Sequence, residues 1–187
     1  LGTNSLLDIV VFGKRAGESM LEYVSKTKST SISDSAADDL VNKINNLIEK
    51  EHTDEFSVGR IRNDLQESME ENAKIFRSEE TLSKQTDILE NLRERYENVT
   101  IFDKGKVFNT ELMEAIELDY LLDMSESTVA SALARKESRG AHSRQDFPDR
   151  DDGNFMKHSF AFKNGNSANL RYKDVELGKY EPMERKY

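Results

Sequence analysis

At 187 residues, with 36% apolar and 34% charged side chains, the chain has room for one domain, or one domain with an appendage, and a small core under a heavily charged exterior. A net charge of −9 argues against a general nucleic-acid or anionic-membrane surface, because such partners need clustered Lys and Arg to displace counterions. The absence of cysteine excludes disulfides and thiolate metal sites.

The chain opens LGTNSLLDIVVFGKRAG, with neither a methionine nor a basic leader, and reads as a piece of something longer. No stretch approaches the ~20 apolar residues of a membrane span. Asn4 and Ser5 are candidate caps for a first helix, and Gly2 lets the backbone come close to something just ahead of it. Leu6, Leu7, Ile9, Val10, Val11 and Phe12 cover nearly every face, so this helix is expected to be buried all round.

After the polar break TKSTSISDS, the segment from about Ala36 to Glu49 sets Leu40, Val41, Ile44, Leu47 and Ile48 on one helical face. Asp34, Asp38 and Asp39 put negative charge at its start, where the helix dipole favours it. Ser57 can cap a third helix with the stripe Val58, Ile61, Leu65, Met69, Ala73 and Phe76. Glu79 to Asn98 carries Leu82, Ile88, Leu89, Leu92 and Tyr96. Asn109 or Thr110 can cap a fifth and longest helix, running from Leu112 through Leu118, Leu122 and Val129 to Leu133. Its pattern stops at Gly140. Short polar links favour antiparallel neighbours in a bundle. Beyond Phe147, the stretch FMKHSFAF alternates, NGN at 164–166 is a hairpin turn, and 168–177 is the return strand.

The expected fold is therefore mainly α: a helical bundle of three to four long antiparallel helices over residues 29–140, preceded by one buried helix at 1–28 and followed by a small extended tail with a β-hairpin at 141–187.

Known chemical motifs are scarce. His52, His142 and His158 show no metal-ligand spacing, and His52 reads as a solvated helix end. The acids of ESMEEN read as a wet helix face. Those of DFPDRDDGN lack the terminal bidentate Glu of a calcium loop, and neighbouring arginines would neutralise them. No metal site is expected. Two stretches stand out. A glycine beside a helix start in LGTNSLLD presents unpaired backbone N–H groups suited to an anion or a polar cofactor edge. In RKESRGAHSRQDF, arginines at 135, 139 and 144 and acids at 137 and 146 can form forked pairs, and the reading preferred over catalysis is a salt-bridge clasp.

These stretches, with NTELMEAIELDYLLDMSES, DFPDRDD and the final KYEPMERKY, closely resemble the carboxyl-terminal third of flavoprotein subunits in the succinate dehydrogenase/fumarate reductase family. The resemblance implies an oxidoreductase containing FAD that oxidises succinate to fumarate and passes electrons through an iron–sulfur subunit to quinone. It implies that the first helix belongs to the FAD-binding domain, and that no catalytic residue lies in this segment. It further implies cofactor contacts from Asn4, Ser5 and Leu6, substrate contacts from the backbone of Gly2 and Thr3, and a structural clasp formed by Arg139, Arg144 and Asp146. The implied partners are the upstream FAD-binding and capping domains, the iron–sulfur subunit and succinate or fumarate, with no nucleic acid and no direct membrane insertion. The implied location is peripheral, on the cytoplasmic face of the bacterial inner membrane or the mitochondrial matrix side. Alternatives are the same domain of a fumarate reductase or L-aspartate oxidase, or a free-standing helical interaction module. The segment alone is expected to be inactive and to support the flavin domain.

Overall fold

The apolar run near the start forms α1, Thr3–Lys26, in a computed structural model that describes residues 3–165, 167–179 and 181–183. The helix begins before Asn4 and Ser5, so both belong to its first turn instead of capping it. Its apolar residues demand burial that residues 1–41 do not supply: Leu6, Leu7, Ile9, Val10, Val11 and Phe12 are all exposed. The chain divides into two compact units, residues 1–41 and 42–187. A short 3-10 turn at Asp34–Ala37, whose Ser35 amide donates to the Ser33 hydroxyl, leads into α2, Asp38–Glu49.

The second unit is built on three helices. In α3, Val58–Asn72, Ser57 occupies the cap position through its extended backbone, and its side chain makes no cap bond. Phe76, expected on this helix, lies beyond its end in the two-residue strand β1, Phe76–Arg77, and is exposed. Helix α4, Glu79–Glu97, starts from a reciprocal capping box between Ser78 and Thr81. Helix α5, Thr110–Ala134, starts where Asn109 Oδ1 accepts a bond from the Leu112 amide at 2.7 Å.

The core lies among these helices, with Ile61 and Leu65 of α3, Leu82, Leu89 and Leu92 of α4, and Leu118, Leu122 and Val129 of α5. Full burial of each such side chain contributes about 1.5–3 kcal/mol. Leu112, Ile116 and Leu133 of α5 pack partly buried against this core, while Met113, Tyr120, Leu121 and Met124 of the same helix are exposed. Two polar groups tie the helices from within. Asn72 Nδ2 donates to Gln85 Oε1 at 3.0 Å, and Gln85 Nε2 donates to Ser68 Oγ at 3.1 Å, so every buried amide in this trio is used. Arg93 of α4 spreads its guanidinium over three carboxylates of α5, reaching Asp119 and Asp123 at 2.6 Å and Glu126 at 2.8 Å. Lys43 pairs with the same Asp119, and Lys163 with Asp123.

Helix α5 ends at Ala134, not at Gly140. The cause is Arg144, whose Nη1 takes the carbonyls of Ala132 and Leu133 at 3.0 and 3.1 Å and so satisfies last-turn acceptors that a continuing helix would use. Gly140, at φ +60°, instead serves a tight turn closed by reciprocal backbone bonds between Arg139 and His142. Strand β2, Ser143–Arg144, then runs parallel to β1. After the one-turn helix α6, Asp152–Phe155, strands β3, Lys157–Asn164, and β4, Ser167–Asp174, form the expected hairpin. Asn164 pairs with Ser167, with Gly165 at φ +61° in the turn, and the hairpin packs on α5.

Truncating Leu122, which has 0% exposure, to alanine is expected to destabilise the second unit by about 2–5 kcal/mol. Met124→Ala on the exposed side of the same helix should stay within about 0.5 kcal/mol. Urea unfolding of the two variants, followed by circular dichroism, checks the difference.

Candidate functional site

A carboxylate with no exposed surface organises the segment after α5. The Glu137 side chain is 0% exposed. Its Oε1 accepts from Arg135 Nη1 at 2.7 Å and Arg139 Nε at 2.8 Å, and its Oε2 accepts from Arg139 Nη2 at 3.0 Å and the Asp151 amide at 2.8 Å. Burial by itself would raise its pKa. The bonds from Arg139, the Asp151 amide and Arg135 outweigh that and hold it below the ordinary glutamate value. The guanidiniums reach onward to the tail. Arg135 donates to the Phe155 and Lys157 carbonyls and to Ser159 Oγ, and Arg139 pairs with Asp152 at 2.5 Å.

Arg144 forms a second centre, also with a side chain at 0% exposure. Besides capping α5, it pairs with Asp146 through Nε and Nη2, both at 2.8 Å, and with Glu79 at 3.0 Å. Asp146 in turn accepts the Glu79 amide at 2.8 Å, at the start of α4 where the dipole favours an anion. The hydrogen bond from Arg144 pulls the Asp146 pKa far below the usual carboxylate range. Arg139, Arg144 and Asp146 thus stand in one array that joins the end of α5, the start of α4 and the tail, all within the second unit.

His142 completes this array. Its Nδ1 accepts from Arg77 Nη1 at 3.0 Å, so its Nε2 carries the proton it donates to the Arg135 carbonyl at 3.1 Å. Burial lowers its pKa, and the charges of Arg77, Arg144 and Arg135 push the same way. In the sequence Glu137 is one acid among several beside these arginines, and Arg77 and Glu79 stand some sixty residues away from them. The available signal was RKESR, a glutamate between arginines directly after the helix pattern.

Ser5 and Leu6 are exposed in the first turn of α1, the backbones of Thr3 and Asn4 precede them in that turn, and Gly2 lies outside the described residues. His52 is not a solvated helix end: it is partly buried, 3.2 Å from Asp54, with its ring edge-on to Phe102. In DFPDRDDGN, Asp152 is neutralised by Arg139 and Arg150, while Asp151 caps α6. Among the described residues, no group of acids and histidines has the geometry to hold a metal, and no helix is long and apolar enough to cross a membrane.

A family model described as fumarate reductase flavoprotein C-term matches residues 62–187. The chain belongs to this family. Over 190 residues it is 38% identical to the fumarate reductase flavoprotein subunit of Haemophilus influenzae, an alignment that spans all of this chain and 31% of that relative. It is 37% identical over 179 residues to the succinate dehydrogenase flavoprotein subunit of Rickettsia felis, spanning 95% of this chain and 30% of the relative. A solved structure of E. coli quinol fumarate reductase superposes with a TM-score of 0.88 at 36% identity, covering 98% of this chain and 32% of that one. The chain thus spans about a third of the length of the relatives it matches.

Glu137 and Asp146 have folded-state pKa values below the ordinary ones, about 4.3 for Glu and 3.9 for Asp. Their stabilisation is therefore complete above about pH 6 and is lost as pH falls through the folded values. Glu137→Gln should cost about 3–5 kcal/mol at neutral pH, because the partly buried Arg135 loses its carboxylate partner and Arg139 keeps only Asp152, and should flatten the acid limb of a stability-against-pH curve. Urea midpoints measured from pH 3 to pH 8 on both proteins test this.

Proposed function

We propose that this chain is the carboxyl-terminal part of a flavoprotein subunit that interconverts succinate and fumarate, with succinate oxidation as the working direction. The observation that carries the reading is the family match over residues 62–187. The direction rests on DFPDRDD and the closing YEPMERKY, both closer to dehydrogenase patterns. Among named relatives, fumarate reductase subunits stand beside succinate dehydrogenase subunits, which makes fumarate reduction the second reading.

The residues present suit FAD at one place. The first turn of α1, Thr3 to Leu6, contains no acid, and its leading amides have no acceptors within the helix. That combination suits the electron-rich edge of a flavin or a carboxylate. On this reading the backbones of Asn4, Ser5 and Leu6 hold the ring edge, and Gly2 and Thr3 turn amides toward a substrate carboxylate. FAD, when bound, supplies the hydride acceptor. The chain's own residues orient the ring and favour negative charge on it through the helix dipole. None of them is proposed as acid or base.

The apolar side chains of α1 are proposed to pack on the FAD-binding domain, and the array around Glu137 and Arg144 to brace the helical unit for docking to the capping domain and an iron–sulfur subunit. The assembly would sit peripherally at a membrane, on the cytoplasmic face in bacteria or the matrix side in mitochondria, passing electrons on to quinone.

The full-length protein purified from its source should carry flavin absorbance and reduce a dye in a succinate-dependent way; a colourless, inert protein contradicts the reading. Ser5→Pro removes one first-turn amide without breaking an intrahelical bond. It should lower the flavin reduction potential and slow turnover roughly tenfold, equivalent to about 1.4 kcal/mol. Unchanged potential and rate would remove the helix start from the flavin site.

A further inference from the structure

A cavity of about 660 Å³ opens between α5, the end of β1 and the hairpin, and its wall is unusually basic for a chain of net charge −9. Arg77, Arg135, Arg139, His142, Lys157 and His158 all line it. Two of these cations are already committed, since Arg135 and Arg139 both serve Glu137. Arg77 and Lys157 are not. Arg77 uses Nε on the Ala73 and Lys74 carbonyls and one Nη1 hydrogen on His142, and among the described residues its Nη2 meets no acceptor and no carboxylate pairs with it. Among the described residues, the Lys157 ammonium has no carboxylate or hydrogen-bond partner and stands over two aromatic faces, 5.3 Å from the Phe155 centroid and 4.3 Å from that of Tyr172.

The cavity is open to solvent, but Arg77 is partly buried and desolvation disfavours its charged form unless an anion joins it. His142 adds a constraint: because its Nδ1 accepts from Arg77, it stays neutral and orients the guanidinium without competing for an anion. The hydroxyl of Ser131, on the α5 side of the wall, can donate a further bond. A forked guanidinium beside a lysine and a hydroxyl is the donor set for a planar carboxylate or a phosphate.

We propose that this cavity binds a small organic anion, through a carboxylate or phosphate group held by Arg77 and Lys157. The site is built from residues of the second unit alone, and its proposal does not depend on the direction of any redox reaction.

The test uses the full-length flavin-loaded protein, titrated calorimetrically with inorganic phosphate and, separately, with acetate. Saturable binding of at least one probe is expected. Arg77→Gln should weaken it roughly tenfold or more, Lys157→Gln roughly threefold, and Arg77→Lys should recover part of the loss. Tighter phosphate binding identifies a phosphorylated ligand, and tighter acetate binding identifies a carboxylate. If Arg77→Gln disturbs folding through its lost carbonyl bonds, Lys157→Gln decides, because among the described residues the Lys157 ammonium makes no hydrogen bond or ion pair that folding would lose. The proposal is overturned if neither probe saturates below ~20 mM, a concentration that would mean no built site, or if both probes bind the Gln variants as tightly as the parent.

Discussion

The Glu137 carboxylate is the constraint on which the second unit's architecture turns. A buried anion is tolerated only when its oxygens are met by charge and hydrogen bonds, and here Arg135, Arg139 and the Asp151 amide meet both oxygens. Those donors come from the end of α5, from the Gly140 turn and from the start of α6. Satisfying one side chain therefore fixes three pieces of backbone relative to one another. Arg135 then holds the hairpin strand through the Lys157 carbonyl and Ser159, while Arg139 pairs with Asp152 of α6.

Arg144 does for the helix ends what Glu137 does for the tail. It caps α5 through the Ala132 and Leu133 carbonyls, while its partner Asp146 caps α4 through the Glu79 amide. A C-terminus and an N-terminus, carrying opposite partial charges, are thus each met by the member of one ion pair that suits them. Arg93 repeats the logic deeper along α5 with Asp119, Asp123 and Glu126. In a chain one-third charged, specificity is carried by these buried arrays as well as by the leucines between the helices.

Periodicity made most of the fold legible. The stripes of α3, α4 and α5, the caps at Asn109 and the NGN hairpin all follow from local chemistry, which the structure repeats. What was not legible came from tertiary contacts. Phe76 continues a helical spacing, yet β1 is drawn out of α3 to pair with β2. Gly140 looks like a helix stop, yet α5 closes six residues earlier because a side chain ten residues beyond its end takes its carbonyls. The arginines and acids were visible as a set, but which acid is buried depends on folding. Glu137 is enclosed, while the adjacent Lys136 is exposed. At α1 the sequence demands a cover, and the exposed Leu6 to Phe12 face makes the same demand in three dimensions.

The family assignment and the bracing role meet in this network, because a carboxyl-terminal unit can present a stable surface to other domains only if its tail is held to its helices. Hydrogen–deuterium exchange at the Asp151 and Gln145 amides of the full-length protein tests that holding most directly. Asp151 donates to Glu137 and Gln145 donates to the Arg77 carbonyl, both at 2.8 Å. The account predicts that both amides exchange as slowly as the core of α5, and that both speed up together when Glu137 is replaced by glutamine. Exchange at the rate of an exposed loop in the unaltered protein would contradict it.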